Sequence, residues 1–272
     1  MSFDGVAKTS LFVAAMRAVE TERSDSEGRL FSDPFARTLA GAEGFSLLEQ
    51  ALAEVGDQPA IAIRTRYIDD RVSQALKEGI RQIVILAAGM DSRSYRMSFP
   101  TGTRIFELDR PEVLRYKQEK LNTVQPTCER YALGLDLRED WQSHLTQSGM
   151  DPKQRTLWLV EGLLMYLDES AVSGLFEKIN ALSVSDSVVV CDILGSTLLA
   201  APHMKKQLEL LASWGAPWRF GTDEPVKFME KFGWKAVATQ AGDVAPDRWP
   251  FPTAPLHIPN VPRGFYIEAR KV

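Results

Sequence analysis

Three acidic residues stand at the ends of apolar, β-branched segments, and their order suggests a nucleoside site. Gln82–Ala88 (QIVILAA) is a continuous apolar run, as expected of a strand buried on both faces, and it leads into Ala87–Ala88–Gly89–Met90–Asp91. A glycine at that turn lets the backbone approach a ligand closely. The next strand candidate, Thr103–Asp109 (TRIFELD), ends in a carboxylate twenty residues beyond Gly89. A carboxylate in that place accepts hydrogen bonds from both hydroxyls of a ribose. The chain lacks G-x-G-x-x-G, so the spacing favours a nucleoside without phosphates, such as S-adenosylmethionine. A dinucleotide, or neither ligand, are the other readings. Asp136 follows a third strand candidate, Arg130–Leu135, where it could accept from an adenine amino group while Leu137 packs on the ring. The alternative is that Asp136 caps a helix over Arg138–Leu145. Glu161 ends a fourth, Arg155–Glu161, near mid-cleft, where it could hold an ammonium or simply start a helix.

If the reaction needs a general base, the chain offers His144, His203 and His257. His144 reads as a surface residue; His203 and His257 fall in segments that should cover the cleft. Trp214, Trp218, Phe220, Trp249 and Phe251 cluster in the tail, which also holds six prolines in the 18 residues Ala245–Pro262. Aromatic rings on fixed turns make a rigid apolar pocket, although ordinary core packing should claim at least half of them. Arg219 and Arg263 sit among these rings and could clamp an acceptor carboxylate.

These residues need a scaffold that brings strand ends together. Ser187–Ile193 is a fifth strand candidate, and helical patterns lie between the strands. Pro111–Leu121 starts with proline, and Asp168 caps a helix with Val172, Leu175, Phe176, Ile179 and Leu182 on one face. Such alternation means a parallel sheet with helices on both sides. Ahead of it, Ser10–Glu22, Pro34–Leu39 and Arg64–Lys77 read as helices, the last on the stripe Ile68, Val72 and Leu76. In the tail, Met204–Trp214 and Asp223–Phe232 read as helices. Lys235–Gln240 and Gly264–Ala269 read as strands with no helix between them, hence antiparallel. The expected fold class is therefore α/β: a Rossmann-like sheet of five parallel strands followed by an antiparallel pair. It comprises one domain over 1–272, with an N-terminal helical extension (1–80), a cofactor core (81–193), a cap (194–262) and a last strand (263–272).

Composition narrows the function classes. The 272 residues are 44% hydrophobic and 25% charged, ordinary for a globular chain and against wholesale disorder. A net charge of −4 argues against a nucleic-acid binder. No run reaches the ~18 apolar residues of a membrane span. Lys8 before Leu11–Met16 is too short a pattern for a signal peptide, and Arg17, Glu20 and Glu22 interrupt it. Two cysteines, Cys128 and Cys191, are too few for a disulfide framework or a zinc cluster. The expectation is a cytoplasmic enzyme without a metal.

Four ordered motifs then resemble a known family. They are Arg64–Asp70 (RTRYIDD), Ile83–Arg93 (IVILAAGMDSR), Phe106–Pro111 (FELDRP) and Glu161–Leu167 (EGLLMYL). Together they resemble the leucine carboxyl methyltransferase family, and more narrowly its bacterial branch of S-adenosylmethionine-dependent methyltransferases. That branch includes polyketide-tailoring O-methyltransferases. The resemblance runs from about Ser32 to Trp234. It implies that Arg64, or else Arg66, reaches the cofactor carboxylate. It further implies that Asp109 holds the ribose, Asp136 and Leu137 the adenine, and Glu161 the methionine amino group. One departure stands out: Ala87–Ala88–Gly89 replaces the family's usual Gly-x-Gly, placing a methyl group where backbone meets cofactor. The reading that follows is O-methylation of a carboxylate or hydroxyl on a small, largely apolar acceptor in secondary metabolism. The acceptor would lie near Trp218, Trp249 and Phe251, or failing that nearer Arg64 and Tyr67. The competing readings are methylation of a protein C-terminal carboxylate, cofactor binding without catalysis, and a nicotinamide-dependent dehydrogenase. A homo-oligomer is compatible with all of them.

Overall fold

Gln82–Leu86 (β1) is buried along its whole length, and the rest of the sheet is ordered about it. The computed structural model describes Phe3 and residues 5–272. β1 pairs in parallel with Arg104–Asp109 (β2) on one side and Thr156–Val160 (β4) on the other. Glu129–Gly134 (β3) extends the sheet beyond β2, and Val188–Leu194 (β5) extends it beyond β4, both in parallel. Gly264–Lys271 (β7) then runs antiparallel to β5 and also to Trp234–Thr239 (β6), so the order is β3-β2-β1-β4-β5-β7-β6. The last strand in sequence thus inserts between β5 and β6. Five parallel strands, an antiparallel end and flanking helices are the architecture expected from the alternation.

Alternating side chains of the strands build two cores. Ile83, Ile85, Leu157 and Leu159 face the helix Pro59–Lys77 (α3) through Ile63, Ile68 and Val72. Val84, Leu86, Trp158 and Val160 face Trp141–Gln147 (α6) and Glu169–Ala181 (α7) through Trp141, Leu145 and Phe176. α3 begins with proline, whose fixed φ suits a first turn, five residues before the sequence pattern places it. α7 begins where expected, with the Asp168 carboxylate accepting from the Ala171 amide at 2.8 Å.

A third core is helical, and it sits over the carboxyl ends of the strands. Gly5–Glu22 (α1) packs on Ala36–Val55 (α2), and both pack against Lys205–Ser213 (α9) through Leu11, Leu39, Leu48 and Leu211. The short helix expected over Pro34–Leu39 is in fact the beginning of α2, which continues past a kink at Gly41. Its inward positions are largely small (Ala40, Gly44, Ala51), so the apolar stripe is faint in sequence. Small residues are needed there because the helices nearly touch: a Cβ on Gly44 would lie 2.5 Å from the Leu11 carbonyl oxygen. Among the described residues no helix is long and apolar enough to cross a membrane.

Candidate active site

The carboxyl ends of β1, β2, β4 and β5 and the loop after β3 open into one cavity of about 1090 Å³. α1 roofs it on one side; α9 and the Pro-rich stretch after β6 close it on another. Its position is the one that open α/β sheets use for ligands.

At the β2 end, Asp109 accepts the Gly89 amide on one oxygen at 2.6 Å and the Arg110 amide on the other at 2.7 Å. Burial pushes its carboxyl pKa up, and the two amide donors only partly offset this. The turn it grips is wound the left-handed way, with φ of 52° at Ala87 and 46° at Gly89. Ala87 therefore holds a backbone conformation that glycine adopts without cost. A Cβ on Gly89 would come within 3.0 Å of the Ser10 Cβ, so glycine lets α1 close over the turn. Asp136 and Leu137 line the same end of the cavity. Asp136 does not cap the following helix. Asp140 does, accepting from the Ser143 amide, while Asp136 accepts from the Arg138 amide and guanidinium at 2.9 Å each.

At the β4 end the wall is a buried ionic network. Glu161 accepts from Arg64 Nε at 3.0 Å on one oxygen and from Arg93 Nη1 at 2.8 Å on the other. Arg64 also donates to Asp192 at 2.9 Å, and Asp192's other oxygen accepts the Gly162 amide at 2.7 Å. Arg93 is held by Asp69 at 2.7 Å and by Asp91, and Arg96 grips Asp69 with two nitrogens. From α1, Arg17 donates to Asp33 at 2.9 Å and to the Met90 carbonyl. Burial opposes ionisation of Asp91, but Arg93 and Lys117 overcome it and hold the carboxyl down at about 2. Burial likewise opposes the charge of Glu161, and Arg93 and Arg64 win, keeping its pKa below the usual carboxylate range.

Arg64, Ala87, Gly89, Asp109, Asp136, Leu137 and Glu161 thus all line one cavity. Sequence reasoning missed Arg17, Asp192 and the roles of Asp69, Arg93 and Arg96. An aspartate inside the apolar run Val188–Leu194 was a usable signal. Arg17 gave none, since a helical arginine usually lies in solvent.

The tail residues divide. Trp218, Trp249 and Phe251 line the cavity beyond β5, as do His203 and Arg263. Trp249 and Phe251 meet edge to face at 5.2 Å. Two of the five rings went to core packing, and three expectations need correction, those for Tyr67, Arg219 and His257. Trp214 is core, set against Phe12 and bonded through its indole N–H to Gln50, and Phe220 packs on Phe228. Tyr67 lies off the cavity, its ring 5.3 Å from that of Tyr266, because its position on α3 faces the sheet. Arg219 is exposed and off the cavity: its backbone amide bonds the Met165 carbonyl, and its charge acts on Asp168. His257 is exposed on the Pro-rich stretch and does not line the cavity, and His144 is exposed on α6.

Residues 10–180 match the model of the leucine carboxyl methyltransferase family. The chain belongs to this family. A protein of Frankia alni, provisionally named an S-adenosyl-L-methionine-dependent methyltransferase, is 38% identical over 246 residues, which cover 85% of this chain and 83% of that one. Two crystal structures share the fold. One, provisionally named a methyltransferase, is from Thermobifida fusca (TM-score 0.66, 18% identity, covering 98% of this chain and 95% of that one). The other is a DUF574 family protein from Streptomyces avermitilis (TM-score 0.64, 15% identity, covering 93% and 100%). The leucine carboxyl methyltransferase assignment makes this chain an S-adenosylmethionine-dependent methyltransferase.

The residues present fit that cofactor. In the network, Asp33, Asp69, Asp91, Glu161 and Asp192 are each paired with Arg17, Arg64, Arg93 or Arg96, so both signs of charge stand ready for the ammonium and carboxylate of the cofactor's amino acid. Asp109 is bonded to two backbone amides, which leaves lone pairs for a ribose diol.

Proposed function

We propose that this family member methylates an oxygen, a carboxylate or a hydroxyl, on a small and largely apolar molecule of the secondary-metabolite type. The observation that carries the reading is the continuation of the cavity past the charged network, under α9 and the Pro-rich stretch, between Trp218, Trp249 and Phe251. A nucleoside cofactor has its polar partners at the β3, β2, β1 and β4 ends, so this second half is space for another molecule.

When bound, the cofactor supplies an activated methyl group on a sulfonium. Arg64 and Glu161 would hold the two ends of its amino acid, Asp109 its ribose, and Asp136 with Leu137 its adenine. The chain's task is then alignment and dryness. Holding the acceptor oxygen in line contributes roughly 7–11 kcal/mol at best. The apolar wall excludes water from both partners. The carboxylates beside the β4 end are each tied to arginine, which leaves none free as a general base. The arrangement suits an acceptor oxygen that arrives deprotonated, a carboxylate or an acidic phenol.

The test is turnover with S-adenosylmethionine and a panel of aryl acids and phenols, read by mass spectrometry for the gain of one methylene. Ester or ether products support the proposal. Cofactor binding with no product from any of them points to a different acceptor class.

A further inference from the structure

The far end of the cavity carries basic side chains that the cofactor site does not use. Sheet order sets the direction. Past β4 come β5 and β7, each ~4.8 Å further on, so the start of β7 lies roughly 10 Å from the Glu161 strand end. Arg263, just before β7, lines the cavity at this end, and His203, in the turn before α9, and Lys206, in its first turn, line the same cavity.

Among the described residues none of the three has a carboxylate bonded to it; the charge of Arg263 acts on Asp223, which accepts from the Ser196 and Thr197 hydroxyls. The contrast within one helix is informative. Lys205 is paired with Glu209 at 3.9 Å, whereas its neighbour Lys206 lines the cavity with no ion pair among the described residues. Arg263 donates to the Leu256 carbonyl at 3.1 Å and the Pro255 carbonyl at 3.2 Å, which fixes its guanidinium, while its Nε–H is buried and has no partner. Two acids also line the cavity, but both have partners: Glu54 accepts from Gln50, and Asp57 lies in the field of Arg248. Between this basic end and Glu161 the wall is apolar, with Ile193, Leu194, Phe265 and Trp249. At the other end every arginine of the network has its carboxylate.

We propose that His203, Lys206 and Arg263 form an anion subsite for the acceptor. The acceptor is then an amphiphilic acid about 10 Å long, by the strand spacing above. Its reacting oxygen lies at the β4 end, an apolar body lies against the tryptophans, and a carboxylate or similar anion lies at the β7 end. A guanidinium held by carbonyls keeps donors free for such a group, and an open basic mouth draws anions in. This rests on the methyltransferase reading above and adds the acceptor's charge and length.

The test is calorimetry on the full chain saturated with S-adenosylhomocysteine. The probes are 6-hydroxy-2-naphthoate and its neutral counterpart 6-hydroxy-2-naphthamide. The acid should bind at least tenfold tighter than the amide. Lys206→Glu, at an exposed position without an ion pair, should bring the two within about twofold, and Arg263→Gln should act in the same direction. Equal binding of the two probes, binding of neither at millimolar concentration, or a preference that survives Lys206→Glu overturns the subsite. The S-adenosylhomocysteine titration separates the two readings. If it fails to saturate, the cofactor assignment falls and the subsite with it. If it saturates and the acid has no advantage, the subsite alone falls.

Discussion

From the end of β3 to the end of β4, the cavity wall is charged, buried and internally paired. From β5 through the cap it is apolar, with loosely held basic groups at its rim. The first half is built on consecutive parallel strands, whose ends lie in a row by sheet geometry. The second is built from short helices and proline-fixed turns packed around an antiparallel insertion. The difference indicates a division of labour: a rigid site for an invariant ligand, and an apolar chamber whose shape rests on loop side chains. Loops of this kind tolerate change better than strand ends do.

Breaking the charged half should have the largest effect. Arg93→Met removes the guanidinium that Asp69, Asp91 and Glu161 share in a buried setting, and should cost about 3–5 kcal/mol of folding stability in urea titrations. A loss below about 1 kcal/mol would mean that water enters the network. Buried, paired carboxylates also set the acid limb. Asp33, Asp91, Glu107 and Glu161 have folded-state pKa values held below their usual ones. Their stabilisation is therefore complete above the ordinary carboxylate range. It is lost as pH falls from that range toward about 2, the value for Asp91. Unfolding should set in through that window. Asp109 runs the opposite way: its raised pKa makes it the first of these to take up a proton, so calorimetry should show cofactor affinity falling before the fold does.

Asp109→Ala comes next, with cofactor affinity reduced by about 2–4 kcal/mol, because charge-assisted bonds to a diol are lost. Its fold should hold by circular dichroism, since the side chain stands at a strand end. Wild-type affinity in this mutant would move the ribose elsewhere. The apolar half should respond in the converse manner. Trp249→Ala should impair acceptor turnover while cofactor affinity stays within about twofold, and equal losses in both would erase the distinction between halves.

Smallest is Ala87→Gly. Relief of a left-handed alanine is worth about 1–2 kcal/mol, offset by about 0.5–1 kcal/mol of added chain entropy. A gain of up to about 1 kcal/mol in melting experiments is expected, with cofactor affinity held or improved. A loss would show that the methyl group of Ala87 packs usefully where it stands.

Legibility followed the chemistry of each half. Asp109 and Glu161 could be read because strand ends in a parallel sheet are where the chain must turn, and a carboxylate there interrupts an apolar run. Their surroundings could not. Glu161 was read as awaiting an ammonium, and only the folded chain shows it held between Arg64, ninety-seven residues away, and Arg93, sixty-eight away. α2 was half seen because alanine and glycine make up much of its buried face, and their small size is the point of the contact.

What local sequence settled by itself was the fold class and the acids at the strand ends. These depend on periodicity and on turns, which are properties of neighbours along the chain. What needed the tertiary structure was the partnering of charges and the fate of the aromatics. Trp214 and Trp218 lie four residues apart, in one composition-rich stretch, yet the first is core and the second lines the cavity. Arg219 and Arg263 looked alike as clamps, and only Arg263 reaches the cavity. Burial and pairing depend on which distant segments close over a residue, here α1 over the β1 turn and β7 between β5 and β6, and no local pattern of residues encodes that closure.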